Sequence, residues 1–151
     1  MKLSETGYNL IRECEGFRPE VYLDQVGKQT VGYGHLLTAG EIAQDTFADG
    51  LTPDEAEEIL TQDVQFAEDA VTSLVTVPLT QNQFDALVDF TFNLGKAALA
   101  GSTLLKLLNS GGYGAVPTEL MRWNKGRIKG VLTEIPGLTV RRQKEAALWN
   151  V

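Results

Sequence analysis

The sequence predicts an α+β fold dominated by helix, and three features lead to it. Two short β-patterned runs separated by a glycine-bearing gap lie between Glu15 and Leu36. One uninterrupted helical periodicity runs from Pro53 to Leu74. Shorter helical segments with their own start and stop signals, joined by brief connections, fill the remainder.

At the amino terminus, Leu3-Ser4-Glu5-Thr6-Gly7-Tyr8 reads as a helix start, with Ser4 as the cap and Leu3 and Tyr8 placed for a hydrophobic staple. Leu10, Ile11 and Cys14 continue the apolar stripe, and Gly16 ends it, leaving Glu15 in the last turn. A carboxylate near the negative end of a helix is disfavoured when ionised, which is the direction a general acid needs. The next run ends Val21-Tyr22-Leu23-Asp24, turns through Gln25 to Lys28 and returns as Gln29 to His35. With Gly27 at the centre of the hairpin, facing residues have numbers summing to 54, so Asp24 is expected opposite Thr30.

After a mixed loop with room for a short helix, Thr52-Pro53-Asp54-Glu55 forms a capping box with proline at the first helical position. Ala56, Ile59, Leu60, Val64, Ala67, Val71 and Leu74 then recur at helical steps. Pro78 to Gln83 caps a following helix with Phe84, Leu87, Val88 and Phe92 on one face and Gly95 as its stop. Ser102-Thr103 opens another, carrying Leu104, Leu105, Leu107 and Leu108, and Pro117 marks the first turn of one carrying Leu120, Met121 and Trp123. Asn124 to Gly137 reads as loop, and Leu138 to Trp149 as a final helix with Arg141, Arg142 and Lys144 exposed.

Composition narrows the function. A chain of 151 residues with 43% hydrophobic and 22% charged residues can bury a sizeable core and is not expected to be disordered. No apolar run is long enough to span a bilayer, and the polar amino-terminal stretch does not resemble a signal peptide or anchor, so synthesis in a cytoplasm is expected. Cys14 is the single cysteine, which excludes an intramolecular disulfide and reads as a small core residue. The net charge of −7 is uneven: residues 41–70 hold ten acids and no Lys or Arg, whereas residues 101–151 hold eight basic and three acidic residues. Such a chain could offer its basic half to an anionic polymer, although both halves are equally compatible with solvated helix faces. Nucleic acid is disfavoured, because the basic residues are not clustered with interleaved aromatics.

The chemistry points to Glu15, Asp24 and Thr30. A carboxylate and a hydroxyl on one face of a hairpin, with a second carboxylate nine positions before the first at a helix end, are the parts needed to cleave a glycosidic bond. Taken alone, the same residues are also compatible with an ordinary hairpin bearing a surface acid. Gly32-Tyr33-Gly34 and Gly27-Lys28-Gln29-Thr30 lack the residues and following helix of a phosphate loop, and no group of His, Cys and acids has metal-ligand spacing. His35, the sole histidine, is expected to pair with a carboxylate, with Asp63 as the candidate.

Glu15-Gly16-Phe17, Tyr22-Leu23-Asp24 and Thr30-Val31-Gly32-Tyr33-Gly34-His35 together resemble the signature of phage-type lysozymes, the endolysins of glycoside hydrolase family 24. The blocks Phe90 to Gly95, Gly101 to Leu105, Arg122-Trp123-Asn124 and Gly137-Leu138 with Arg141-Arg142 extend the similarity over nearly the whole chain. The resemblance implies one lysozyme-like domain over residues 1–151. Its small sheet-bearing lobe would cover about 15–52, a connecting helix about 53–75, and a helical lobe about 76–151 together with the first helix at 4–14, with a cleft between the lobes. It further implies hydrolysis of the β-1,4 bond between N-acetylmuramic acid and N-acetylglucosamine, with Glu15 as general acid and Asp24 with Thr30 positioning a water, by inversion and without a cofactor. Leu36, Phe92 and Asn93 match positions that contact the glycan, although helical periodicity alone would make Phe92 a core residue. By the same analogy the protein acts as a monomer on the wall in the periplasm, after a separate holin-type partner permeabilises the membrane. Residues 129–136 depart from the commoner pattern as a local insertion. A lytic transglycosylase, with one essential acid, and a non-catalytic wall-binding module on the same fold are the competing readings.

Overall fold

A computed structural model describes all 151 residues. The chain forms two compact units, residues 11–65 and residues 1–10 with 66–151, and the boundaries fall inside two helices. No helix is long and apolar enough to cross a membrane.

In the first unit, helix α1 (Glu5–Glu15) ends where Gly16 takes φ +70° and its N–H closes on the Arg12 carbonyl. Strands β1 (Arg18–Leu23), β2 (Gln29–Gly32) and β3 (His35–Leu36) make an antiparallel sheet in the order β1-β2-β3. The single returning strand read from the sequence is therefore two strands. The break falls at Gly32 and Gly34, whose φ values of +66° and +76° turn the chain back where a β-branched residue would be strained. Helix α2 (Ala39–Ala43), capped by Thr38 and Glu41, and the amino-terminal part of helix α3 (Pro53–Leu74) complete the unit. The capping box at Thr52 and Glu55 forms as its sequence indicates. Val31, Phe47, Leu51 and Ala56 form the core, with Phe17, Val21, Tyr33, Leu37 and Ile59 packed on it. Arg12 ties α1 to α3 through two parallel bonds to Glu57 of 2.8 and 2.9 Å.

His35 makes a further charged tie in this unit. Its Nδ1–H donates to Asp63 Oδ2 at 2.7 Å, the expected partner, and its Nε2–H donates to Glu41 at 3.0 and 3.2 Å. The bond to Asp63 and then that to Glu41, working against burial, push the His35 pKa up to about 9. Glu41, despite its own burial, is held below the usual carboxylate range by the Thr38 N–H and by His35. One imidazolium thus links β3 to α2 and α3.

The second unit is helical. Helices α4 (Gln81–Leu94), α5 (Lys96–Ala100), α6 (Thr103–Asn109), α7 (Val116–Met121) and α8 (Pro136–Trp149) bury Phe84, Leu87, Phe90, Leu99, Leu104, Leu108, Leu120 and Trp149. Thr80 and Ser102 cap α4 and α6, and Gly95 stops α4, as their positions in the sequence suggest. The amino-terminal strap is held by buried carboxylates: the Leu3 N–H donates to Glu68 at 2.7 Å, and the Ser4 N–H and hydroxyl donate to Asp85.

Two sequence readings are corrected here. Residues 124–137 are not loop but contain a second antiparallel ribbon, β4 (Lys125–Ile128) and β5 (Val131–Glu134). Lys129 and Gly130 take φ of +51° and +80°, the geometry of a two-residue hairpin turn. Arg141 and Arg142 are not exposed. They are buried on α8, because α4 and α7 pack on that helix and α4 supplies Asp89 to meet them. Arg141 clasps Asp89 with bonds of 3.0 and 2.8 Å, and Arg142 reaches Glu145 at 2.6 Å and Asn93 at 2.8 Å. Burial, and then the neighbouring Asp89, push the Glu145 carboxyl well up, in opposition to the Arg142 guanidinium beside it. Against its own burial, the Arg141 guanidinium keeps Asp89 below the usual range.

Two measurements test these ties. Asp89→Ala leaves Arg141 buried without its bidentate partner and is expected to cost about 3–5 kcal/mol of unfolding free energy in urea; a loss under about 1 kcal/mol would show the pair to be replaceable by solvent. An NMR titration should place the His35 midpoint near 9. Because the folded value is raised, the stabilisation is complete below the unfolded value of about 6.5 and is lost as pH rises through about 9. A His35→Gln variant should therefore show a flatter stability profile across that window, and a wild-type midpoint near 6.5 would contradict the paired ring.

Candidate active site

Glu15, Asp24 and Thr30 all lie in the unit formed by residues 11–65, on or beside its sheet. Glu15 is the last residue of α1, and its carboxyl rests against the β2–β3 turn. A Cβ built on Gly34 would lie 2.6 Å from Glu15 Oε2 and 3.1 Å from its Cδ, so a larger residue there would push the carboxyl from its place. The same glycine has the positive φ that the turn requires.

The hairpin register differs from the expected one. Tyr22, not Asp24, stands directly opposite Thr30, and Leu23 faces Gln29. Asp24 instead continues the ladder opposite Lys28, to whose carbonyl its N–H donates at 2.9 Å. The centre of the turn is thus shifted by one residue from Gly27, and the reason lies in Asp24 itself. Its Oδ1 accepts from the N–H groups of Val26 at 3.0 Å and Lys28 at 2.8 Å, so the side chain organises the turn around its own residue. Because a two-residue offset preserves the face, Asp24 and Thr30 remain diagonal neighbours on one side of the ribbon, about 7–8 Å apart at Cα.

This geometry gives the two groups different hydrogen bonds. Asp24 Oδ1 is committed to backbone donors, and Oδ2 takes no part in those bonds. Thr30 is buried at 3% exposure, and its hydroxyl donates to the Lys28 carbonyl at 3.0 Å. That donation leaves the Oγ1 lone pairs as acceptors for a proton of water.

Tyr22 is the site residue whose place the sequence reading missed. Burial first, then the negative charge of Glu15, raise its pKa, with Arg18 acting in the opposite sense and Asp24 adding to the rise. A phenol that senses both carboxylates lies in the field of each. Arg18 covers its ring from 4.2 Å. The signal was available in the alternation Tyr22-Leu23-Asp24, which places residues 22 and 24 on one face. His35, by contrast, is a cation at neutral pH with both ring nitrogens engaged, and it has no capacity to act as a base there.

Of the expected glycan contacts, Leu36 is at the end of β3 and half of its surface is exposed. Phe92 and Asn93 are half-buried near the end of α4, in the other unit. Asn93 Oδ1 accepts from the Arg142 guanidinium, which fixes the amide so that its NH2 is turned the other way. Phe92 is not a fully buried core residue as periodicity alone would have it.

Comparison with known proteins places this geometry in context. The profile of the phage lysozyme family matches residues 12–145. The chain is 40% identical to the endolysin of Acyrthosiphon pisum secondary endosymbiont phage 1, over 99% of both chains. It is likewise 40% identical to the endolysin of Salmonella phage P22, covering 99% of this chain and 98% of that one. Among solved structures, the muramidase domain of SpmX from Asticaccaulis excentricus is similar with a TM-score of 0.87 and 34% identity, over 99% of this chain and 98% of that one. With its helical fold, its three-stranded sheet and its near-complete coverage by these relatives, the chain belongs to the phage lysozyme family.

Proposed function

We propose that this glycoside hydrolase, a peptidoglycan-degrading lysozyme by family, cleaves the β-1,4 bond between N-acetylmuramic acid and N-acetylglucosamine using Glu15 as acid and an Asp24–Thr30 pair as the water site. The observation that carries the reading is the placement of the Glu15 carboxyl on the Gly34 turn of the sheet that bears Asp24 and Thr30. Glu15 donates its proton to the glycosidic oxygen as the bond from that oxygen to the anomeric carbon breaks. A water accepted by Thr30 Oγ1 and by the Asp24 carboxylate attacks the anomeric carbon from the opposite face, and its proton passes to Asp24. The sum is one water added and one glycosidic bond lost.

An inverting path needs a gap of about 6.5–9.5 Å between the carboxyls to admit the water, whereas about 5 Å favours a covalent glycosyl intermediate. The commitment of Asp24 Oδ1 to two backbone N–H groups supports the first, because a carboxylate anchored in this way is suited to orienting a water. Leu36 supplies apolar contact for a sugar face, Phe92 a partly exposed ring, and Asn93 an amide NH2 preset by Arg142 to donate to the glycan.

Glu15→Gln should keep the thermal midpoint and lose turbidity-clearing activity on permeabilised Gram-negative cells by about a hundredfold or more. Undiminished clearing would remove Glu15 from the mechanism. Products of the wild type should be reducing sugars heavier by one water than the anhydro products of a transglycosylase, and mass analysis distinguishes the two. Gly34→Ala places a methyl 2.6 Å from Glu15 Oε2. It should lower kcat by roughly a hundredfold through displacement of the acid, at a stability cost of about 1–2 kcal/mol for the left-handed backbone. Full activity in that variant would show that the contact does not position the reacting group.

A further inference from the structure

The ribbon β4–β5 serves neither the core nor the proposed chemistry. Residues 127–132 are exposed without a break, so the outer end meets solvent on both faces. Three large apolar side chains lie there, Ile128 at 51%, Val131 at 64% and Leu132 at 59% exposure. The register pairs Ile128 with Val131 on one face and Arg127 with Leu132 on the other, so both faces carry apolar surface at the tip. Lys125, Arg127 and Lys129 stand among them against one acid, Glu134, which is opposite Lys125 and accepts from Thr139 at 2.9 Å. The base is pinned by Gly126, where a Cβ would lie 2.5 Å from Ile135 Cδ1.

We propose that this ribbon docks the enzyme on the surface of an anionic phospholipid bilayer, its tip entering the headgroup layer. Cations at the rim with aliphatic side chains at the tip match a surface that offers phosphates outside and acyl chains beneath. A glycan strand offers carboxylates for the cations but no apolar phase for Ile128, Val131 and Leu132. The chain as a whole carries −7, which opposes adsorption to anionic lipid by bulk charge. Attraction to such a surface therefore has to come from a local basic and apolar element, and this ribbon combines both on an uncovered tip.

The test is sedimentation of the full-length protein with vesicles of phosphatidylglycerol and phosphatidylethanolamine, and with vesicles of phosphatidylcholine alone. The wild type should partition to the anionic vesicles and release at high salt. Ile128→Ser with Leu132→Ser, and separately Lys125→Gln with Arg127→Gln and Lys129→Gln, should each lower partitioning about tenfold or more. Hydrolysis of purified peptidoglycan and the thermal midpoint should stay unchanged in both variants, since none of these side chains is in the core or the proposed active site. Equal partitioning to the two vesicle types, no partitioning, or full partitioning by either variant overturns the proposal. Loss of binding to purified peptidoglycan in the cation variant, without loss of vesicle binding, overturns it in favour of a wall contact.

Discussion

The close approach of the Glu15 carboxyl to Gly34 is the constraint around which the unit of residues 11–65 is built. A helix end and a strand turn are brought together at a separation where a side chain at residue 34 would displace the Glu15 carboxyl. The glycine meets two demands at once, the positive φ of the β2–β3 turn and the close approach of the acid. The rest of the unit supports that approach. Arg12 and Glu57 hold α1 on α3, and the His35 imidazolium fastens the strand just after Gly34 to both Asp63 and Glu41.

Charge is used differently in the two units. Around the sheet it is paired at partly exposed positions, where ion pairs add modest stability and direct which element meets which. In the helical unit the Asp89, Arg141, Arg142 and Glu145 group is almost completely buried, and its members cannot be separated without leaving an uncompensated charge away from water. This group also reaches the surface: Arg142 fixes the Asn93 amide, so a buried network sets the orientation of a side chain proposed to touch the glycan. Packing and the proposed recognition therefore share one set of hydrogen bonds on α4 and α8.

Much of the fold was legible because its signals are local. Thr52 with Glu55 and Thr80 with Gln83 cap their helices, Gly16 and Gly95 end theirs, and the long apolar stripe from Ala56 to Leu74 can be nothing but helix. The partner of His35 was legible as well, since a lone histidine near an acid-rich helix has few other ways to satisfy its ring. The β4–β5 ribbon was not, because a Lys-Gly pair is a weaker turn signal than Asn-Gly and its strands are only four residues long. The burial of Arg141 and Arg142 was hidden for another reason. An arginine on a helix reads as exposed unless its partner is known, and that partner, Asp89, lies 52 positions earlier on α4.

What the residues settle by themselves is the set of chemical parts and their order: an acid at a helix end, a hairpin with an anion and an alcohol, glycines where the chain must turn. These follow from backbone preferences and spacing, which act over a few residues. The register of the hairpin is local as well: Asp24 captured the backbone N–H groups of Val26 and Lys28, two and four positions on, and put Tyr22 opposite Thr30. The tertiary structure decided which charges face water and which are enclosed. That outcome depends on partners far apart in the chain, as Asp89 and Arg141 are, and a linear pattern carries no information on which of them meet.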